Sequence, residues 1–276
     1  MITRLEIEAF ICDWEKENDT FARLFSGVIS VAGREGVIYE EARGYRNRGE
    51  CLLNDVTTAF ATASVGKLFT AVLVCQLIER GVLSLESRIV DILPYDLKAI
   101  DSEVTVYHLL THSSGIADYL DFDSKEAEDA FFDAHPVNLW TSNEYYLPFF
   151  NTRSPVFALS AKSDYSNSNF ILLGLIIETL AKQNYHTCIK QNILEPLQMT
   201  RTGFHATNNL PANTAIGYMW RKATDEFVGN HWHDGGDAGV GFHTAHFPTT
   251  GYTLTVASNI AIGLLKFNES FMSLLA

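Results

Sequence analysis

A serine and a lysine, Ser64 and Lys67, stand three residues apart where a polar segment meets the apolar run 68–78. The run is apolar nearly all round, which predicts a buried helix over residues 64–80. Residues three apart share one face of a helix, so the lysine amine would lie beside the serine hydroxyl and accept its proton. The positive end of the helix would also favour an anion at Ser64. The spacing therefore predicts a nucleophilic serine; the alternative is a serine that caps the helix before a solvated lysine.

Two later segments place further polar side chains directly before regular structure. Tyr165 and Asn167 precede an apolar run that predicts another helix. His233 stands two residues before a pair of glycines, Gly235 and Gly236, and the alternating residues that follow predict a strand. A tyrosine can pass a proton, an asparagine can hold an amine or a carbonyl, and glycines let a strand edge approach a substrate. Together the three segments indicate a catalytic site.

The order of the segments resembles that of the serine β-lactamase and penicillin-binding protein family, which carries Ser-x-x-Lys, then Ser/Tyr-x-Asn, then Lys-Thr-Gly on a strand. A tyrosine in the second motif is similar to class C β-lactamases, DD-peptidases and related esterases. Residues 105–116 and 194–204 also resemble family segments, so the resemblance covers about residues 27–259. It implies an α/β (α+β) fold of the β-lactamase/transpeptidase type, in which an antiparallel sheet is flanked by terminal helices and joined to a mostly helical second lobe.

The resemblance also implies a role for each motif residue. Ser64 would attack an acyl carbon, while Lys67 and Tyr165 would take its proton and return it to the leaving group. Asn167 would hold the lysine amine or the substrate carbonyl. The backbone N–H groups of Ser64 and Gly236 would stabilise the oxyanion. Four polar residues between the first two motifs are interpreted as packing and loop hydrogen bonds: His108, His112, Ser113 and Ser114.

His233 occupies the place of a family lysine that helps to hold a substrate carboxylate. A histidine titrates near neutral pH, so its charge is conditional. With Gly235 and Gly236 it would contact the substrate, and its presence shifts the expected substrate away from carboxylate-bearing β-lactams toward esters. The segment 218–233 is shorter than in most relatives, which implies a more open cleft.

The resemblance therefore implies a serine hydrolase that forms an acyl-enzyme on small carboxylic esters or amides, without a cofactor. One alternative is a penicillin-binding DD-peptidase or a class C-like β-lactamase. Another is a non-catalytic binding relative, because the short segment 218–233 removes part of the cleft wall. The expected partner is a small-molecule ester, amide or β-lactam.

Composition and charge exclude several other classes. A formal net charge of −13 argues against binding to nucleic acid or to acidic membrane surfaces. No apolar run is long enough to span a membrane, and the first residues lack the apolar core of a signal peptide, so we expect a cytoplasmic protein. The four cysteines show no paired spacing and predict no disulfide framework. His231, His233, His243 and His246 suggest a zinc site, but the serine motifs would then be coincidental, so we expect no metal.

Alternating residues near both ends of the chain predict two hairpins, and neither would be stable alone. We therefore expect strands from both ends in one antiparallel sheet. The hairpins are predicted at residues 25–45 and 240–258, and helices at 3–18, 170–182, 185–193 and 260–275, with 118–164 irregular. The predicted domains are a sheet lobe of residues 1–60 and 234–276 and a helical lobe of residues 61–233, with the active site in the cleft between them.

Overall fold

The structure, a computed structural model, describes residues 2–136, 140–206, 208–221, 226–229, 240–260 and 264–275. It divides into two compact units, one formed by Met1–Gly66 with Phe204–Ala276 and the other by Lys67–Gly203. The helices of the first unit are α1 (Arg4–Glu17), α2 (Asp19–Leu24) and α9 (Leu264–Leu275). Its strands are β1 (Gly27–Gly33), β2 (Gly36–Arg43), β3 (Tyr45–Asn47), β4 (Leu52–Leu53), β5 (Tyr218–Arg221), β6 (Glu226–Gly229), β7 (Gly241–Phe247) and β8 (Tyr252–Ser258). The helices of the second unit are α3 (Lys67–Glu79), α4 (Val106–Leu110), α5 (Lys125–Ala134), α6 (Leu147–Phe150), α7 (Asn167–Ala181) and α8 (Tyr185–Ile189).

The unit boundaries lie after residues 66 and 203, whereas the sequence predicted them after residues 60 and 233. Backbone hydrogen bonds explain why the segment after residue 203 belongs with the sheet. Ile216 N–H donates to Arg46 O at 2.8 Å, and Tyr218 N–H donates to Asn259 O at 2.9 Å. These bonds are not visible in side-chain periodicity. The cleft predicted between the lobes stays a prediction.

The main sheet joins strands from both ends of the chain, which confirms the predicted antiparallel arrangement. Its order is β2-β1-β8-β7, and β1 pairs antiparallel with both β2 and β8. The close approach of β1 to β8 requires a glycine, because a Cβ at Gly27 would lie 2.0 Å from Ala257 O. The sheet therefore depends on pairing between residues that are distant in sequence.

The core of the first unit forms where one face of this sheet meets the terminal helices. Leu254 and Val256 alternate with less buried neighbours on β8 and are fully buried. They belong to one cluster with Ile7 of α1 and with Phe267 and Phe271 of α9. A capping box at Thr3 starts α1, as the predicted helix over residues 3–18 requires. Both predicted terminal helices are confirmed, with residues 261–263 outside the described part.

The second unit is built around α7, whose apolar residues are buried against α3, α4 and α8. Contrary to expectation, α3 is buried on one face only. Leu73 and Val74 are buried, whereas Leu68 and Val72 are 52% and 38% exposed, and Cys75 is also exposed. The apolar run predicted the helix correctly but not its environment, since hydrophobicity alone does not show how many neighbours a helix has.

The expected irregular stretch 118–164 contains helices instead. Ser124 accepts a hydrogen bond from Ala127 N–H and starts α5, and a 3₁₀ turn, Asn143–Tyr146, leads into α6. No described side chain of α5 is fully buried. Because many residues of α5 are acidic and none is buried, the pattern of apolar residues alone does not predict this helix.

The predicted helix over residues 185–193 is also different, because α8 ends at Ile189 and a π turn, Lys190–Leu194, follows. In that turn Glu195 N–H donates to Lys190 O, five residues earlier. Among the described residues no helix combines the length and the apolar character needed to cross a membrane.

Replacing Phe271 by Ala should lower the free energy of unfolding by about 3–5 kcal/mol, because its fully buried ring would leave a cavity between α9 and the sheet. Urea denaturation of the purified protein measures the loss. Leu274→Ala, on the same helix at a position that is 38% exposed, is the matched control and should cost less than about 1 kcal/mol. Equal losses in the two variants would contradict the packing of α9.

Candidate active site

Ser64 lies on a 3₁₀ turn, Ala63–Gly66, and α3 begins directly after it at Lys67. The predicted helix over residues 64–80 therefore starts three residues later as an α-helix. A 3₁₀ turn stacks residues three apart, so Ser64 and Lys67 are still expected on one side of the chain. Ala63 has φ of +44°, in the left-handed region that a residue with a Cβ seldom adopts. The turn packs beside β7.

The Lys67 amine lies above an aromatic ring of the second motif. Its nitrogen is 5.1 Å from the centroid of the Tyr165 ring and 5.9 Å from that of Phe170. An ammonium over a ring face is attracted by the ring's quadrupole. The structure thus brings together Lys67 and Tyr165, which are almost a hundred positions apart in the sequence.

Tyr165 is held by Asn167, two residues later at the start of α7. The Tyr165 hydroxyl donates to Asn167 Oδ1 at 3.2 Å. Tyr165 itself is 51% exposed to solvent. The other end of the amide, Nδ2, donates to Asp118 Oδ2 at 2.9 Å. We expected Asn167 to hold the Lys67 amine or the substrate carbonyl; in the structure its described contacts orient Tyr165.

Asp118 is the site residue that sequence reasoning missed. Its Oδ2 also accepts the Asn167 backbone N–H at 2.8 Å, and its Oδ1 accepts Leu120 N–H at 2.9 Å. The first N–H groups of a helix have no partner within the helix, and a carboxylate there is favoured by the helix dipole. Ser166 is the N-cap residue of α7, yet its side chain makes no capping bond. Asp118 therefore caps α7 from another part of the chain.

The His112 ring packs against the Tyr165 ring, with 4.8 Å between the two ring centroids. His112 Nδ1 accepts the Ser166 backbone N–H at 3.2 Å. Since Nδ1 is an acceptor, the proton of the neutral ring is on Nε2. Burial lowers the pKa of His112 below its ordinary range, and the charge of Lys67 lowers it further, against the opposing effect of Asp118. The site therefore keeps this imidazole neutral beside the lysine.

The segment between the first two motifs is the support on which α7 begins. Buried Ser114 donates to Asn169 Oδ1 at 2.7 Å, and Ser168 donates to Ala117 O at 2.8 Å. Gly115 has φ of +75°, and a Cβ there would lie 2.2 Å from Phe157 O. The interpretation of this segment as packing and loop hydrogen bonds agrees with these contacts.

A serine and a histidine elsewhere in the second unit, Ser160 and His108, are hydrogen-bonded to each other but are unsuited to nucleophilic catalysis. His108 Nε2 lies 2.9 Å from Ser160 Oγ, and its Nδ1 accepts the Thr105 backbone N–H at 3.0 Å. With Nδ1 occupied as an acceptor, the neutral ring carries its proton on Nε2 and donates it to the serine. His108 therefore cannot serve as the base for Ser160 in this geometry.

The predicted third motif, with His233, Gly235 and Gly236, lies outside the described residues. The histidines of the rejected zinc interpretation that are described, His243 and His246, are on β7 at an odd spacing. Successive residues of a strand alternate between its faces, so these two rings are on opposite faces. Each has its own environment: His243 is opposite Val256, and His246 Nδ1 lies 3.0 Å from Thr253 Oγ1.

Sequence comparison finds relatives among penicillin-binding proteins. The chain is 30% identical over 200 residues to penicillin-binding protein 4 of Amycolatopsis lactamdurans, which covers 69% of this chain and 48% of that protein. The chain thus spans less than half the length of this curated relative.

Two solved structures share the fold. The penicillin-binding protein of Bacillus halodurans superposes with a TM-score of 0.79 at 24% identity, covering 91% of this chain and 97% of that one. The D-stereospecific amidohydrolase of a Streptomyces species gives a TM-score of 0.70 at 18% identity, covering 88% and 92%. The beta-lactamase family model matches residues 15–261, which include every predicted motif residue. The chain therefore belongs to the beta-lactamase family, whose fold is shared by penicillin-binding proteins, amidohydrolases and esterases.

Proposed function

We propose that this protein is a serine hydrolase that cleaves small carboxylic esters or amides through an acyl-enzyme on Ser64. The observation that carries the proposal is the placement of the Lys67 amine over the Tyr165 ring, with the Tyr165 hydroxyl fixed by Asn167. A nucleophilic serine needs a neighbouring group to take its proton, and these residues are of the right types for that task. Family membership supports hydrolysis in general.

In the proposed reaction the Ser64 oxygen attacks the acyl carbon and its proton passes to the Lys67–Tyr165 pair. The carbonyl oxygen becomes an oxyanion, which backbone N–H groups would stabilise, those of Ser64 and Gly236 by resemblance. Collapse breaks the bond to the leaving group, which receives the proton. Water then attacks the acyl-enzyme, gives its proton to the same pair and releases the acid while Ser64 regains its hydrogen.

The exposure of Tyr165 favours small, reactive substrates. Tyr165 is 51% exposed, so a small substrate can approach its side chain from solvent. His233 in place of a lysine would hold a carboxylate only when protonated, which supports neutral esters over carboxylate-bearing β-lactams. The cytoplasmic location stays part of this proposal.

A penicillin-binding peptidase or β-lactamase is the second candidate, favoured by the name of the 30% identical relative. It differs from an esterase in a measurable way. A penicillin would acylate Ser64 and leave slowly or be turned over, while a simple aryl ester would react poorly. A relative that only binds would give no adduct with either compound.

Ser64→Ala should abolish acyl-enzyme formation, because no other residue in the proposed reaction can carry the acyl group. Intact-protein mass spectrometry after brief exposure to an aryl acetate, and separately to a penicillin, detects the added mass and distinguishes the candidates. Ser160→Ala is the matched control, since Ser160 is an exposed serine bonded to a histidine, and it should acylate normally. An adduct that persists in Ser64→Ala would identify a different nucleophile.

Asp118→Ala should lower kcat for an aryl acetate by roughly 10²-fold, because Asn167 and then Tyr165 would lose their fixed orientation. Asp118→Asn keeps an acceptor oxygen for Asn167 and should recover part of the rate. This partial rescue separates positioning from a general loss of stability. Asp164→Asn removes an exposed carboxylate next to Tyr165 and serves as the control, with kcat near that of the parent. Equal rates in Asp118→Ala and the parent would refute the positioning role.

The neutral state of His112 makes the fold sensitive to acid. Because the folded protein lowers the pKa of this ring, its contribution to stability is complete above pH about 6.5 and is lost as pH falls through the folded-state pKa. His112→Asn keeps an acceptor near the Nδ1 position, tolerates the φ of +56°, and does not titrate. Urea denaturation at pH 7.5 and 5 should show a smaller loss for the variant than for the parent. All other titrating groups are common to both proteins, so parallel pH dependences would contradict a neutral His112.

A further inference from the structure

His112 is bonded to the chain on both sides of Tyr165. Its backbone oxygen accepts Asp164 N–H at 2.9 Å. Its ring atom Nδ1 accepts Ser166 N–H at 3.2 Å and lies 3.3 Å from Asn169 Nδ2. Because the residue before Tyr165 and the residue after it are both held by His112, the position of the tyrosine depends on this histidine.

The hydrogen bonds of Asn169 show which way its amide points. The Ser114 hydroxyl accepts Ile116 N–H, so its own hydrogen is available to donate to Asn169 Oδ1 at 2.7 Å. The amide nitrogen is then left to donate to His112. Two donors therefore meet the lone pair of Nδ1, and both contacts require that this atom carries no proton. A proton on Nδ1 would set donor against donor and release Ser166 and Asn169.

The charges around the His112 ring act against its protonation. The titratable side chains around it belong to α3, to the loop before α5 and to the segment before α7: Lys67, Asp118, Asp164 and Tyr165. The Asp164 carboxylate is paired with Lys162 at 2.7 Å. From α7 the ring meets only uncharged groups, Asn169 and the Phe170 ring at 5.3 Å. Burial and the charge of Lys67 outweigh Asp118, so the pKa of His112 lies below its ordinary value.

A charged His112 would also stand next to the groups that take the proton of Ser64 in the proposed reaction. The Tyr165 ring centroid is 4.8 Å from that of His112 and 5.1 Å from the Lys67 nitrogen. A positive charge on His112 opposes the arrival of a further proton on the Lys67–Tyr165 pair. The lost hydrogen bonds and the added charge therefore act in the same direction.

We propose that His112 is a positioning residue for the Lys67–Tyr165 pair and that the reaction requires its neutral form. The proposal rests on the proposed hydrolase function and adds its regulation: acid switches the folded enzyme off by displacing Tyr165. Since the folded-state pKa of His112 is lowered, the neutral form is complete above pH about 6.5 and is lost as the pH falls through that lower value.

Two variants separate the acceptor from the backbone that carries it. Asparagine and glycine both tolerate the φ of +56° at position 112, and only asparagine offers an oxygen near the position of Nδ1. At pH 8, His112→Gly should lower kcat for an aryl acetate roughly 10²-fold with KM within about threefold, because Tyr165 loses its fixed position. His112→Asn should recover about tenfold of this loss. Equal kcat values in the two variants would overturn the positioning role.

The pH dependence of the rate tests the requirement for a neutral ring. The ratio of kcat in the parent to kcat in His112→Asn should be constant above pH about 7 and fall about tenfold per pH unit below the folded-state pKa, because all other titrating groups are common to both. His186→Asn, at an exposed histidine of α8, is the matched control and should reproduce the parent's profile. A constant ratio down to the pH at which circular dichroism shows unfolding would refute the switch.

NMR of the His112 ring gives a readout that needs no activity. With ¹⁵N-labelled histidine, the neutral ring should carry its proton on Nε2, and the signals missing from the spectrum of His112→Asn identify it. A proton on Nδ1 would refute the acceptor role whether or not the protein is an enzyme. If the proton is on Nε2 but no ester is hydrolysed and no adduct forms on Ser64, the hydrolase function is what fails, and the effect of His112 on the rate fails with it.

Discussion

The candidate site depends on one carboxylate, that of Asp118, placed at the beginning of α7. One of its oxygens accepts both the backbone and the side-chain N–H of Asn167, and the other accepts Leu120 N–H. The first turn of α7 needs a hydrogen-bond acceptor for its N–H groups, and the loop at Leu120 needs one for its backbone N–H. The Asp118 carboxylate supplies both acceptors. Through Asn167 it sets the direction of the Tyr165 hydroxyl. Charge-assisted hydrogen bonds to a helix N-terminus are among the stronger ones available to a protein.

The segment that precedes Asp118 in the chain contains backbone conformations with positive φ. His112 and Gly115 both have positive φ, and the close contact of Gly115 with Phe157 leaves no room for a side chain. Buried hydrogen bonds from Ser114 and Ser168 fix these conformations, each contributing roughly 1 kcal/mol. Ala63 has the same kind of conformation directly before Ser64. Each unit therefore contains an unfavourable backbone conformation near a candidate residue, at Ala63 in the first and at His112 in the second, and contacts within each unit must stabilise it.

Residue type and spacing were sufficient to predict the motif residues Ser64, Lys67, Tyr165 and Asn167 as candidates, and the structure brings the last three together. Alternation likewise predicted β1 and β8, since a half-buried strand repeats every two residues. Asp118 could not be found in this way, because an acid after a loop is typical of ordinary turns and its partner lies 49 positions away. The position of residues 204–221 was missed for a related reason: it depends on backbone groups, which every residue carries. The 3₁₀ turn at Ser64 and the helix α5 depend on local bonds that apolar periodicity does not report.

The pairing of β1 with β8 has a consequence for synthesis on the ribosome. The second unit, Lys67–Gly203, is one uninterrupted stretch with its own core, so it can fold as soon as it emerges. The first unit cannot: Ser258 must reach Ser26, 232 positions earlier, before the sheet closes. Until then β1 has one partner and an unpaired edge, which is a template for association with other nascent chains. β7, the neighbour of the Ser64 turn, is also made late. The surroundings of Ser64, the proposed nucleophile, are therefore among the last parts of the molecule to be completed, and a prematurely terminated chain would carry the helical unit without them.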